Sequence, residues 1–185
     1  MPVYLALLRG INVSGKKIIK MEDLRKLMES SGYKNIKTYI QSGNVIFESN
    51  TKDKSIIAKH IEEVIEKEYG FDVSVFVVDG NDINKAVDNN PYATKEEIEE
   101  GTKKIYVTFL SEKPSAENIE KLKQAPIGED LIEFFDDILY FKLISKASES
   151  KLSNTLIESK LKVRATTRNW NTTIKLLTML EETDK

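Results

Sequence analysis

Two pairs of strand-like segments separated only by turn residues constrain this chain more than any other feature. Residues 36–40 and 45–47 flank Gln41-Ser42-Gly43-Asn44, where Gly43 is free to take a positive φ. Residues 131–135 and 138–143 flank Asp136-Asp137. Connections this short join neighbouring antiparallel strands, which disfavours a wholly parallel, Rossmann-type sheet. The segments around each hairpin repeat one order. Residues 3–8 (VYLALL) are a continuous apolar run, expected as a strand buried on both faces. Met21, Leu24, Leu27 and Met28 have helical spacing, with Gly32 as a stop. Beyond the hairpin, Ile57, Ile61, Val64 or Ile65, and Tyr69 mark a second helix ended by Gly70. Residues 73–78 (VSVFVV) give a fourth strand, and 81–89 a short helix with Ile83, Ala86 and Val87 on one face.

The order β-α-β-β-α-β plus a helix then recurs. Residues 105–110 (IYVTFL) read as a strand, and Pro114 opens a helix with Ile119 and Leu122 inward. The second hairpin follows. Leu152, Leu156 and Leu161 suggest a helix, 163–165 a short strand, and Trp170, Ile174, Leu177 and Leu180 a last amphipathic helix. Identity between the halves is negligible, so the repeat rests on element order alone. The expected class is α+β: two tandem ferredoxin-like (βαββαβ) lobes, each with an extra helix, packed as one compact unit. Residues 1–90 form the first lobe, 91–103 a polar linker or exposed arm, and 104–185 the second lobe with the C-terminal helix. Strands 1, 3 and 4 are apolar at both parities, so both faces of the sheet should be covered.

Composition narrows the chemistry. Among 185 residues there is no Cys and one His. That excludes disulfides, thiolate catalysis, iron–sulfur clusters and Cys-based zinc, and leaves no expected metal site or cofactor. His60 lies beside acidic neighbours without a triad partner and reads as a surface residue. The apolar runs are strand-sized, so neither a membrane span nor a signal peptide is expected, and the protein is expected in the cytoplasm. The net charge of -2 hides a pattern. Residues 1–50 hold eight Lys/Arg against four Asp/Glu (+4), residues 51–150 hold 13 against 22 (-9), and residues 151–180 hold six against one (+5). The tail 181–185 is -2. Both ends are basic and the middle is acidic.

Three polar motifs sit in the basic ends. Arg9-Gly10-Ile11-Asn12-Val13-Ser14-Gly15-Lys16-Lys17 follows the first strand and matches G-x-x-x-x-G-K. A true P-loop is disfavoured: Lys17 replaces the Mg²⁺-binding hydroxyl, the helix starts near Met21, and hairpins do not suit a parallel P-loop sheet. Glycines still let backbone N–H groups approach an anion, and Lys16 adds charge. The second motif, Tyr39-Ile40-Gln41-Ser42-Gly43-Asn44, gathers amides and a hydroxyl at one hairpin end. The third, Thr166-Thr167-Arg168-Asn169-Trp170-Asn171-Thr172, enters the last helix. There Thr167 or Asn169 is a natural N-cap, and Arg168 is a bidentate donor for phosphate or carboxylate. Each has a structural alternative: a glycine-rich turn, a self-satisfied hairpin, and a cap beside a packed Trp170.

Taken together the motifs resemble a known family. The stretch from Leu7 to Ser49 (LLRGINVSGKKIIKMEDLRKLMESSGYKNIKTYIQSGNVIFES) and the element TTRNWNT are similar to bacterial domain-of-unknown-function family 1697, over essentially the whole chain. The sequence departs from the family pattern at Ser14 and Lys17. The resemblance implies a two-lobed fold of tandem ferredoxin-like type, and it brings no activity or catalytic residue. Its signature falls on Arg9, Gly10, Asn12, Gly15, Lys16, Tyr39, Gln41, Ser42, Gly43, Asn44, Thr167, Arg168, Asn169, Trp170 and Asn171.

The functional expectation is a site for a small anionic ligand, a nucleotide or phosphorylated metabolite, where the first loop, the first hairpin and the N-terminus of the last helix meet. Its ligand-binding residues would be Arg9, Asn12, Gly15, Lys16, Gln41, Ser42, Asn44, Thr167, Arg168, Asn169 and Asn171, with Lys16 and Arg168 carrying charge recognition. A nucleic-acid-binding module using the same basic ends is one alternative. A metal-independent transferase or hydrolase is another, for which no acid–base pair stands out. In a last alternative the motifs only lock the lobes together.

Overall fold

A computed structural model describes the chain except for residues 101–103 and the side chains of Glu99 and Glu100. The chain packs as two units, Met1–Asn84 with Lys175–Lys185, and Lys85–Ile174.

The first unit contains β1 (Val3–Leu8), α1 (Met21–Ser30), β2 (Lys34–Tyr39), β3 (Asn44–Glu48), α2 (Lys54–Tyr69) and β4 (Val75–Val78), followed by α3 (Gly80–Asp88), whose residues from Lys85 belong to the second unit. The sheet order is β2-β3-β1-β4, antiparallel throughout, as a ferredoxin-like βαββαβ unit requires. In the register, Tyr4 faces Phe47 and Ala6 faces Val45, while Leu8 faces Val75 on β4. These positions share a core with Leu24 and Met28 of α1 and with Ile57, Ile61 and Ile65 of α2. Each such aliphatic side chain removed from water contributes roughly 1.5–3 kcal/mol, which is what pins the two helices to the sheet. The opposite parity is buried too: Leu5, Leu7, Ile46 and Phe76 are all 7% exposed or less. Both faces of β1 are therefore covered, as its apolar run required.

Helix boundaries follow local chemistry. Asp53 caps α2 by accepting from the backbone N–H groups of Ser55 and Ile56, and Gly70 ends it in the left-handed region at φ 74. The hairpin between β2 and β3 turns at Gly43, at φ 86.

The second unit adds α4 (Lys95–Glu100), β5 (Ile105–Leu110), α5 (Ala116–Lys123), β6 (Leu131–Phe135), β7 (Ile138–Lys142), α6 (Asn154–Leu161), β8 (Ala165–Asn169) and the start of α7 (Trp170–Thr183), whose residues from Lys175 belong to the first unit. Its sheet order, β6-β7-β5-β8, repeats the first permutation, again antiparallel. Leu110, Leu139 and Phe141 pack with Leu122 of α5 and with Ile157 and Leu161 of α6. The hairpin turns at Asp136-Asp137, with Asp136 at φ 50. Lys85 pairs with both carboxylates, at 3.0 and 3.7 Å. Asp130 organises the return from β7: its Oδ1 accepts from the N–H groups of Ile144 and Ser145, and its Oδ2 from the Ser150 hydroxyl.

Three local expectations are corrected. The final strand is not confined to 163–165 but runs over Ala165–Asn169, so TTRN is strand, not helix entry. Pro114 does not open α5; Ser115 caps it by accepting from Asn118 N–H, and Pro114 precedes the cap. The polar segment after residue 90 holds α4, whose Lys142–Glu97 ion pair ties it to β7; residues 101–103 of the expected linker lie outside those described. No helix among the described residues is long and apolar enough to cross a membrane.

Candidate functional site

The first loop is built from two inward anchors. Ile11 and Ile19 are both 1% exposed and belong to the first core. Between them the chain makes a tight excursion: Asn12 N–H donates to the Lys17 carbonyl at 3.1 Å, and Lys16 N–H to the Val13 carbonyl at 2.9 Å. The backbone takes positive φ at Gly10, Asn12, Ser14, Gly15 and Lys17. Three of those are not glycine, so the conformation costs about 1 kcal/mol or more at each and needs outside support. Asn12 supplies it. Its Oδ1 accepts from Ile19 N–H at 2.8 Å, while its Nδ2 donates to the carbonyls of Ile19 at 2.9 Å and Gln41 at 2.8 Å. Lys17 lies 3.6 Å from the Asp72 carboxylate, whereas Lys16 is exposed at the tip. Helix α1 starts at Met21, well after the lysines, with Lys20 at the cap position and no side-chain cap. The phosphate-cradling arrangement of a P-loop, in which the lysine opens a helix, is therefore not formed.

The hairpin is fixed to that loop. Asn44, fully buried, donates from Nδ2 to the Tyr39 carbonyl at 2.9 Å and to Ser42 Oγ at 3.0 Å. The Gly43 carbonyl accepts from Leu8 N–H at 2.8 Å. The preceding Ile40 sits at φ 51 and is 49% exposed, an outlying conformation for a β-branched residue. Arg9 is half-buried, with its N–H donating to the Ser74 carbonyl at 3.0 Å. Among the expected site residues, the structure thus brings Asn12 and Gln41 together directly. Lys16, Gly15 and the Gln41 side chain lie at the surface of the same loop system, and Asn44 and Ser42 brace it from within.

In the second unit the expected residues take other positions. Thr167 lies on β8, its hydroxyl 2.7 Å from that of Thr108 and donating to Asn154 Oδ1 at 2.8 Å. Arg168, opposite Val107 in the register, is 7% exposed. Its Nη1 donates to Thr166 Oγ1 at 3.0 Å and to the Thr167 carbonyl at 2.9 Å, and burial pulls its pKa down to about 10. A guanidinium held this far from water needs its hydrogen bonds in place. Asn169, not Thr167, is the cap: its Oδ1 accepts from Thr172 N–H at 2.8 Å, and its carbonyl accepts the Thr173 hydroxyl. Trp170 is buried, as a packing anchor should be, and Asn171 is exposed on the first turn of α7.

Sequence reasoning missed Thr108 and Asn154, which join Thr167 in one polar chain. The signal for Thr108 was present, since a lone threonine interrupts the apolar run IYVTFL; Asn154 had none. His60 is exposed as expected, and its Nδ1 lies 2.8 Å from the Tyr33 hydroxyl. Burial pushes that phenol up to about 12. Among the described residues, no group of three or more His, Asp or Glu side chains could hold a metal ion.

Comparison with known proteins places the chain. The conserved bacterial protein SP0830 from Streptococcus pneumoniae has a similar structure, with a TM-score of 0.74 at 22% identity, over 96% of this chain and 98% of that one. At this identity the likeness concerns the fold. No curated protein sequence matches. The family described as "Protein of unknown function (DUF1697)" matches residues 1–140, a span that holds the first two polar motifs and ends before the third. The match covers well over half of the chain, which belongs to the DUF1697 family.

Proposed function

We propose that the protein binds a small anionic ligand, a nucleotide or phosphorylated metabolite, on the loop system formed by residues 9–19 and 40–44. The observation that supports this is the braced, strained loop. Five positive-φ residues, three of them not glycine, are held by the Asn12 side chain in a conformation that displays Lys16 at its tip. Strain of this kind persists where the surroundings over-determine it, and it collects at binding sites. No ion pair among the described residues engages Lys16. Lys16 supplies charge, and Gln41 supplies an adaptable amide. Titration calorimetry of the full chain with inorganic phosphate, ADP and a sugar phosphate tests it. Binding of at least one, weakened about tenfold in Lys16→Ala, is expected for the loss of one charge-assisted contact. No binding, or equal affinity in Lys16→Ala, overturns it. Parallel titration with DNA and RNA oligonucleotides at low salt separates this from the nucleic-acid reading, which requires steep salt dependence.

A specific observation favours the structural reading for Thr167, Arg168 and Asn169: each makes hydrogen bonds within its own unit. Asn169→Ala is then expected to lower stability and leave phosphate affinity unchanged; a change in affinity without a change in stability would count against it.

A further inference from the structure

The second unit contains an open pocket of about 240 Å³ to which Thr167 is the one contributor from the polar motifs. One wall is aromatic. Tyr106 on β5 and Phe141 on β7 face each other in the strand register, and their rings stack with centroids 4.7 Å apart and planes 9° from parallel. Leu152 and Ala147 add apolar surface, and Asn154 and Thr167 add polar atoms. Among the described residues, no charged side chain lines the pocket. A lining of this composition disfavours an ion, which would lose its hydration without gaining a counter-charge, and suits a flat neutral molecule.

The polar atoms have a defined sense. Thr167 donates to Asn154 Oδ1, and its hydroxyl also meets that of Thr108. The Asn154 carbonyl is thereby engaged, which leaves its N–H2 group as the available donor. That group has no hydrogen-bond partner among the described residues. The pocket therefore offers an amide donor beside an aromatic face. Its volume falls below the roughly 300 Å³ at which pockets for drug-sized ligands begin, so it suits a single ring system.

We propose that this pocket binds a neutral, carbonyl-bearing nucleobase, stacked on the face of Tyr106 that Phe141 leaves uncovered, with its ring carbonyl accepting from the Asn154 amide. Stacking of a base on an aromatic side chain is insensitive to base identity, so the donor sets the preference for carbonyl edges. None of the residues that line the pocket belongs to the loop that carries Lys16.

The test uses uracil and hypoxanthine as one-ring and two-ring probes, titrated into the full-length protein up to about 10 mM and followed by amide NMR shifts at residues 106, 154 and 167. Ala147 is exposed, so Ala147→Phe fills the cavity without disturbing the core, and a circular dichroism melt confirms its fold. Asn154→Ala removes the amide donor. The expected result is saturable binding of at least one probe, weakened tenfold or more in Ala147→Phe and measurably in Asn154→Ala. Absence of saturable shifts with both probes, or less than a tenfold loss in Ala147→Phe, overturns the proposal.

Discussion

Gly43 and Leu8 touch backbone to backbone: the Leu8 N–H donates to the Gly43 carbonyl at 2.8 Å, and a Cβ on Gly43 would stand 2.7 Å from Leu8 Cβ. The same Cβ would meet Ile11 Cδ1 at 2.8 Å, in a backbone already at φ 86. Gly43→Ala therefore combines a conformational penalty with overpacking and should cost about 3 kcal/mol in urea unfolding. Gly15 has the same sign of φ and nothing within 4 Å of an added Cβ, so Gly15→Ala should cost only about 1 kcal/mol. Equal losses would show that φ alone decides.

Asn12 can be separated from its backbone conformation. Asn12→Gly keeps the positive φ and deletes three hydrogen bonds, leaving the N–H and carbonyl of Ile19 and the carbonyl of Gln41 without that partner. A loss of about 2–3 kcal/mol in thermal melts is expected. A loss below about 0.5 kcal/mol would mean that water replaces the amide.

Acid should loosen the return from β7. Burial works to raise the Asp130 pKa, but hydrogen bonds from Ser150, Ser145 and Ile144 outweigh it and hold the carboxyl below its ordinary value. A folded pKa below the unfolded one contributes stability that is present above about pH 4 and is lost as pH falls through the folded value. Asp130→Asn should be less stable than the parent at pH 7, and the gap should narrow below pH 4. A gap independent of pH would remove the carboxylate from the account.

Alkali acts in the opposite sense on Tyr33. Its phenol, pushed up to about 12 by burial, contributes stability that is complete below about pH 10 and is lost as pH rises toward 12. The difference between ultraviolet titrations of the parent and Tyr33→Phe should show one phenol with a midpoint near 12. A midpoint near 10 would place that ring in water.

The βαββαβ order was legible because apolar periodicity and turn glycines agreed. Gly70 ended α2 and Gly43 turned the first hairpin where the sequence required a positive φ. β8 was not legible beyond Ala165, because Thr166 and Arg168 are buried through hydrogen bonds and the half-buried Thr167 between them is polar too, which leaves no apolar alternation to read. α4 was missed for the related reason that KEEIEE carries one apolar residue. In the first loop, the G-x-x-x-x-G-K spacing suggested open backbone donors. It did not reveal that Ile11 and Ile19 turn inward, nor that Asn12 uses its amide to close the loop on itself. Residue type identified the right segments there, whereas the role of each polar group depended on partners far away in sequence.

β8 closes one side of its sheet, and the end strand of a sheet is where a foreign strand can add. Here that strand is five residues long, carries two threonines and an arginine at its centre, and turns directly into α7 at Trp170. Short length, a central charge and an abrupt change to helix make it a poor template for intermolecular pairing. The polar composition that hid this strand from a reading of the sequence also guards the protein against aggregation through it.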